Sequence, residues 1–215
     1  MTHVTVEEHT VADSAAGPYA LTTGPDGALW FTLVQSGRIG RLVPGEEPAS
    51  HRLDPDCGPT VITPGPDGAL WFTEYRADRI GRITTDGDID EFDVPTPGCG
   101  PFGIAAGPDG ALWFTETAAD RIGRIAVDGD VTEFPLPDRA ARPHAVTVDE
   151  QGTAWFTEWG GNRVGTITPD GSVTVHDLPT PRSEPHGITV GPDGALWTAL
   201  EIGALARIAP VGSAT

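Results

Sequence analysis

The chain has 215 residues, 31 of them acidic and 13 basic, and every basic residue is an arginine; the formal net charge is −18. Nucleic acid and anionic membrane surfaces both select clustered positive charge, which this chain lacks. No apolar run approaches the roughly 20 residues that cross a bilayer, and two cysteines are no disulfide framework. The opening MTHVTVEEHTVADS is acidic and has no apolar stretch of the kind a secretory signal carries. The expectation is one soluble cytoplasmic domain over residues 1–215, binding neither nucleic acid nor membrane.

In chain order, the first predicted element is Val4–Val11, whose alternating VTVEEHTV reads as a strand. A repeat follows. Trp30, Trp71, Trp113, Trp155 and Trp197 lie 41, 42, 42 and 42 residues apart, and GPDGAL precedes four of them. The fourth copy is degenerate, Asp149–Ala154. Phe-Thr-Glu follows the tryptophan in three copies, then Arg-Ile-Gly-Arg-Ile or a variant, then an Asp-Gly turn and a short β-like run. The third copy shows the pattern best: strands near Phe102–Ala106, Ala111–Thr115, Arg121–Val127 and Val131–Phe134, with Asp128-Gly129 as a hairpin turn. No window sustains a 3.6-residue apolar period.

Four short strands per 40–45 residues is the pattern of a β-propeller blade. The prediction is all-β: five four-stranded blades of about 42 residues each. The last copy runs out after its third strand, near Leu205–Pro210. The N-terminal strand Val4–Val11 is expected to complete that blade and close the ring, which pairs edges that otherwise invite aggregation. A monomer is expected, with self-association if five blades do not close.

Shared repeat residues build the scaffold, so departures from the repeat are the functional candidates. Eleven residues before each tryptophan stand Tyr19, Thr60, Phe102, His144 and His186; two earlier stand Gly17, Gly58, Gly100, Arg142 and Glu184. Blades four and five alone have Arg-Pro-His and Glu-Pro-His. Equivalent positions sit side by side around a propeller axis, so His144 and His186 are expected to be neighbours. Glu74, Glu116 and Glu158 stand three residues after their tryptophans, whereas the fifth copy has Leu200 there and Glu201 next. One residue along a strand reverses the face, so Glu201 is expected to point where the other three do not. Two carboxylates and imidazoles at one channel mouth suit a hard cation such as Mg²⁺, beside a histidine able to act as a base.

On these residues the sequence resembles the virginiamycin B lyase family, enzymes that inactivate streptogramin B antibiotics. The resemblance runs through the GPDGALWFTE…RIGRI repeat along nearly the whole chain. Its more specific part is Gly17-Pro18-Tyr19, Arg142-Pro143-His144, Ser183–Ile188 and Trp197–Glu201. The resemblance implies a carbon–oxygen lyase that linearises a cyclic depsipeptide by elimination at its lactone ester. It implies His186 as general base, Glu184 and Glu201 as holders of Mg²⁺, and His144 and Tyr19 as substrate contacts. It also implies seven blades, about two repeats more than the five present here.

Other departures have plainer readings. Glu74, Glu116 and Glu158 repeat with the scaffold and are read as structural. Trp159 stands outside the repeat, Arg142 reads as an ion-pair or channel-wall residue, and Cys57 and Cys99 read as free thiols. His3, His9, His51 and His176 read as surface residues. A propeller that binds a peptide, sugar or protein without catalysis, and a propeller lactonase, are the competing functional classes.

Overall fold

The computed structural model describes residues 6–209. The first sheet contains β1 (Pro18–Thr23), β2 (Leu29–Leu33), β3 (Arg38–Leu42) and β4 (Ala49–Arg52). The second has β5 (Pro59–Pro64), β6 (Leu70–Glu74), β7 (Arg79–Ile83) and β8 (Ile89–Asp93). The third has β9 (Pro101–Ala106), β10 (Ala111–Glu116), β11 (Arg121–Ala126) and β12 (Val131–Pro135). The fourth has β13 (Pro143–Val148), β14 (Ala154–Glu158), β15 (Arg163–Ile167) and β16 (Val173–Asp177). The fifth has β17 (Pro185–Val190), β18 (Leu196–Leu200) and β19 (Ala204–Ile208). Every sheet is an antiparallel meander in chain order, and no helix occurs among the described residues. These are β-propeller blades, with first strands packed successively against one another: β1 on β5, β5 on β9, β9 on β13, β13 on β17.

The fifth sheet has three strands. The segment expected to give it a fourth, Val4–Val11, begins outside the described residues, and its described part, 6–11, lies in no strand. Val11 instead packs with Ala12 against Phe31, Leu33 and Leu42 of the first blade.

The blades adhere through one repeated apolar contact. Trp30 and Ile39 meet Ile62, Leu70 and Phe72 of the next blade. Trp71 and Ile80 meet Ile104, Leu112 and Phe114, and Trp113 and Ile122 meet Val146, Ala154 and Phe156. Fully burying such side chains stabilises by about 1.5–3 kcal/mol each. The turn aspartates orient the tryptophans: Asp26, Asp67 and Asp193 accept from the indoles of Trp30, Trp71 and Trp197 at 2.9–3.0 Å, and from Arg41, Arg82 and Arg207 at 2.6–2.8 Å. For Asp193, the bonds from Trp197 and Arg207 hold the carboxyl down at about 2.

A polar seam runs alongside. In each blade the first strand carries a register irregularity directly after its opening proline, a bulge that frees a backbone N–H and re-aims the next side chain. In blades one to four a threonine of the second strand takes up that N–H. Thr32, Thr73, Thr115 and Thr157 accept from Ala20, Val61, Gly103 and Ala145 at 2.9–3.2 Å. Each hydroxyl then donates to the next blade's bulge: to the carbonyls of Thr60, Phe102, His144 and His186, at 2.7, 2.7, 2.9 and 2.9 Å.

Cys57 and Cys99 are free, as expected, and both are buried. His9 and His176 are exposed, as expected, and His3 lies outside the described residues, whereas His51 is half-buried; His51 and His176 stack on Trp30 and Trp155, with ring centroids 5.7 and 6.3 Å apart.

Candidate active site

The bulges place Tyr19, Thr60, Phe102, His144 and His186 as the second residue of β1, β5, β9, β13 and β17. Four of them form a continuous aromatic row. The rings of His144 and His186 meet edge to face at 4.8 Å. Phe102 lies 4.5 Å from His144, and Tyr19 meets Phe102 edge-on at 6.2 Å. The two histidines are thus in contact, while Tyr19, 57% exposed, stands beyond Phe102. Neither Phe102 nor Tyr75, which meets Phe102 at 6.0 Å, was singled out from the sequence; the signal was there, because Phe102 is the repeat equivalent of both histidines.

His186 Nε2 lies 2.6 Å from Glu201 Oε1. Glu201 reaches it by leaving the sheet. β18 ends at Leu200, which opposes Pro185 just as Glu158 opposes Pro143 in blade four. Glu201 is the first residue of the turn, at the position filled by Tyr75, Thr117 and Trp159 in the preceding blades. Trp159 is therefore in the repeat register after all, one place past the strand. Glu74, Glu116 and Glu158 point inward and are fully buried, whereas the Glu201 side chain is 54% exposed.

Glu184 stands next to the bulge with φ +49°, and Arg142 with φ +47°. Their counterparts Gly17, Gly58 and Gly100 have φ of +65°, +62° and +59°. The loop demands left-handed backbone, which glycine adopts freely and other residues at a cost of about 1–3 kcal/mol. Blades four and five bear that strain to present an arginine and a carboxylate. Asn162 helps hold Glu184 in place, its Oδ1 accepting from both the backbone N–H and the hydroxyl of Ser183 at 2.7 Å.

The electrostatics separate the two carboxyls. A hydrogen bond shared with Glu201 raises the pKa of Glu184. Hydrogen bonds from His186 and then Glu184 lower that of Glu201. Burial, reinforced by the charge of His186, pushes His144 down to about 4, so it is neutral near neutral pH. Its Nδ1 is buried with no partner. No group of three or more His, Cys, Asp or Glu side chains forms a metal cage among the described residues. Two adjoining carboxyls at an open mouth nonetheless fit Mg²⁺, which takes one or two carboxylates and keeps several waters.

The sequence matches the virginiamycin B lyase family over residues 4–139 and 118–208. The chain belongs to that family. A virginiamycin B lyase of Saccharopolyspora erythraea is 62% identical over 94 residues, covering 44% of this chain and 31% of the relative. Among solved structures, a streptogramin B lyase aligns with TM-score 0.87 at 42% identity, over 91% of this chain and 65% of the other. The virginiamycin B lyase of Staphylococcus aureus aligns with TM-score 0.88 at 37% identity, over 97% and 74%. A catalytically inactive His-to-Ala variant of the S. aureus enzyme, solved with quinupristin, aligns with TM-score 0.85 at 38% identity. The chain thus spans 31% of the S. erythraea virginiamycin B lyase and 65% of the streptogramin B lyase.

Proposed function

We propose that the chain is a carbon–oxygen lyase that opens streptogramin B-type cyclic depsipeptides by elimination. The observation that carries this reading is the contact of His186 with Glu201 at 2.6 Å, with His144 packed against the same imidazole. An inactive His-to-Ala variant among its structural relatives, with quinupristin, supports a histidine as the essential group and such a depsipeptide as substrate.

In this reading Nε2 of His186 donates its hydrogen to Glu201, leaving the lone pair of Nδ1 to take the α-proton of the ester-bearing threonine residue. The C–H electron pair becomes the Cα=Cβ bond, the Cβ–O bond breaks, and its pair departs on the carboxylate. The product is a linear peptide of unchanged mass. Neutral His144 contacts the substrate near the scissile ester without adding positive charge beside the base, and Tyr19 contacts its far side. Glu184 and Glu201 would hold Mg²⁺, which when bound would supply charge to polarise the carbonyl next to the acidic proton.

The test is incubation with quinupristin and Mg²⁺, followed by chromatography and mass. Ring opening without mass change supports elimination. Gain of one water points to a lactonase instead, and no turnover in a folded sample overturns the enzymatic reading in favour of a binding propeller. Full activity in His186→Ala overturns the assignment of the base.

A further inference from the structure

A groove of about 520 Å³ opens where Arg142 leads into β13, the strand of His144, lined by Tyr75, Thr117, Asp120, Arg139, Arg142 and Trp159. We propose that it is a carboxylate-binding subsite, in which Arg142, aided by Arg139, takes up the acid group that ester opening releases. The proposal rests on the lyase reading above.

Arg142 is held ready for an anion. Its guanidinium lies over the Trp159 ring, 5.6 Å from the centroid, an attraction that fixes its plane and leaves its N–H edge unspent. Arg41, Arg82, Arg124 and Arg207 are each tied to a turn aspartate of their own blade. Arg139 and Arg142, like Arg38, Arg52, Arg76, Arg121 and Arg182, join no ion pair among the described residues; Arg142 differs from these in lying over an indole. Asp120, the carboxylate of the groove, accepts from the backbone N–H of Arg142 at 2.8 Å rather than from its side chain. A planar guanidinium with a free edge matches a carboxylate bidentately.

Two further observations point to a ligand. Arg142 occupies a left-handed position that three other blades give to glycine, so its side chain is retained against backbone strain. The indole N–H of Trp159 is buried and makes no full hydrogen bond, though it leans toward Glu184 closely enough to lower that carboxyl's pKa. Trp159 therefore joins the groove to Glu184: Arg142 covers its face, and its N–H lies on the Glu184 side. The leaving group gains a full negative charge as the Cβ–O bond breaks, and the groove holds two unpaired cations on the segment that leads into His144.

The experiment compares two probes: the linear acid made by base-promoted elimination of a streptogramin B, and the same peptide as its carboxamide. Calorimetry near physiological salt is expected to show the acid binding at least about tenfold tighter than the amide. Arg142→Gly, which installs the residue of blades one to three, is expected to erase that preference while leaving the melting temperature equal or higher. Arg142→Lys is expected to restore part of it. Equal affinity of acid and amide, failure of the acid to bind, or a preference that survives Arg142→Gly each overturn the subsite. Ring opening without acid preference sinks the subsite alone; acid preference without ring opening supports the subsite and sinks the lyase reading alone.

Discussion

The hydroxyl of Thr157 donates to the backbone carbonyl of His186 across the boundary between blades four and five, at 2.9 Å. The same oxygen accepts from Ala145 N–H, one residue beyond His144, at 3.0 Å. One buried side chain thus fixes the bulges that carry both histidines.

Thr157→Val keeps the shape and removes both bonds. A buried backbone donor and acceptor left unpaired cost about 1–3 kcal/mol each. The melting temperature is expected to fall by several degrees, at about 2–4 °C per kcal/mol for a chain of this size. The rate constant for ring opening is expected to fall at least about tenfold, since misplacement of a base by an ångström is costly. Thr157→Ser is expected to retain most of both. Calorimetric melting and kcat measured together check this; an unchanged kcat in the valine variant refutes the positioning role.

The Glu184 and Glu201 carboxyls act on each other, the pKa of Glu184 being raised and that of Glu201 lowered. A divalent cation held by both favours their charged forms, so Mg²⁺ affinity is expected to fall as the pH drops through the carboxyl range, and Glu201→Gln to weaken it by about tenfold or more, since affinity follows ligand charge. Titration calorimetry over a series of pH values, on the wild type and the variant, reads both effects. Exhaustive chelation is expected to abolish turnover, with recovery on adding Mg²⁺.

Glu184→Gly exchanges a strained residue for the one that the loop prefers. It is expected to raise the melting temperature by about 2–4 °C, the equivalent of roughly 1 kcal/mol of relieved backbone strain, while abolishing Mg²⁺ binding. A lower melting temperature contradicts the assignment of strain to this position.

Glu74 and Glu116 are fully buried with no hydrogen-bond partner on either oxygen. Burial, then the nearby charges of Glu91 and Glu133, raises both to about 8. Folded chains therefore bind more protons than unfolded ones between the ordinary carboxyl range and pH 8. Stability from these groups is full below the unfolded pKa near 4.5 and is lost as the pH rises through about 8. Melting temperatures are expected to decline from pH 5 to pH 8.5, and the double variant Glu74→Gln/Glu116→Gln to flatten that decline. A flat wild-type profile refutes this.

Much of the architecture is legible in the sequence because the repeat aligns with itself. Counting back eleven residues from each tryptophan places His144 beside His186, since equivalent residues of adjacent blades must be neighbours. Blade boundaries follow from GPDG turns whose aspartates hold the tryptophans. Where the repeat fails, the reason for an inference can fail while its outcome stands. Glu201 does point away from where Glu74, Glu116 and Glu158 lie, exposed against their full burial, but it does so because β18 stops at Leu200 and Glu201 belongs to the turn, not through a shift within a strand. The same one-place offset hides Trp159, which fills an ordinary repeat position rather than an extra one. The exchange of glycine for Arg142 and Glu184 is visible in the sequence; that it occurs at left-handed backbone is a matter of torsion angles, which spacing alone does not contain. The threonine seam is equally hidden, since a Thr after Trp-Phe in four of the five copies reads as strand filling until its hydroxyl is seen to cross into the next blade.

The seam ends at blade five, where Ala199 stands at the place of Thr32, Thr73, Thr115 and Thr157; Thr198, one residue earlier, fills the phenylalanine position, and its buried hydroxyl has no partner. Every joint before it is made by the same two atoms, whichever blades it joins, so nothing in a joint counts how many blades stand on either side. His144, His186, Glu184 and Glu201 all belong to the two blades that meet at the fourth joint. Chemistry written across a single joint is inherited whole when repeats elsewhere are gained or lost. The reacting groups therefore sit on one joint, and variation in the repeats elsewhere changes what surrounds them rather than the groups themselves.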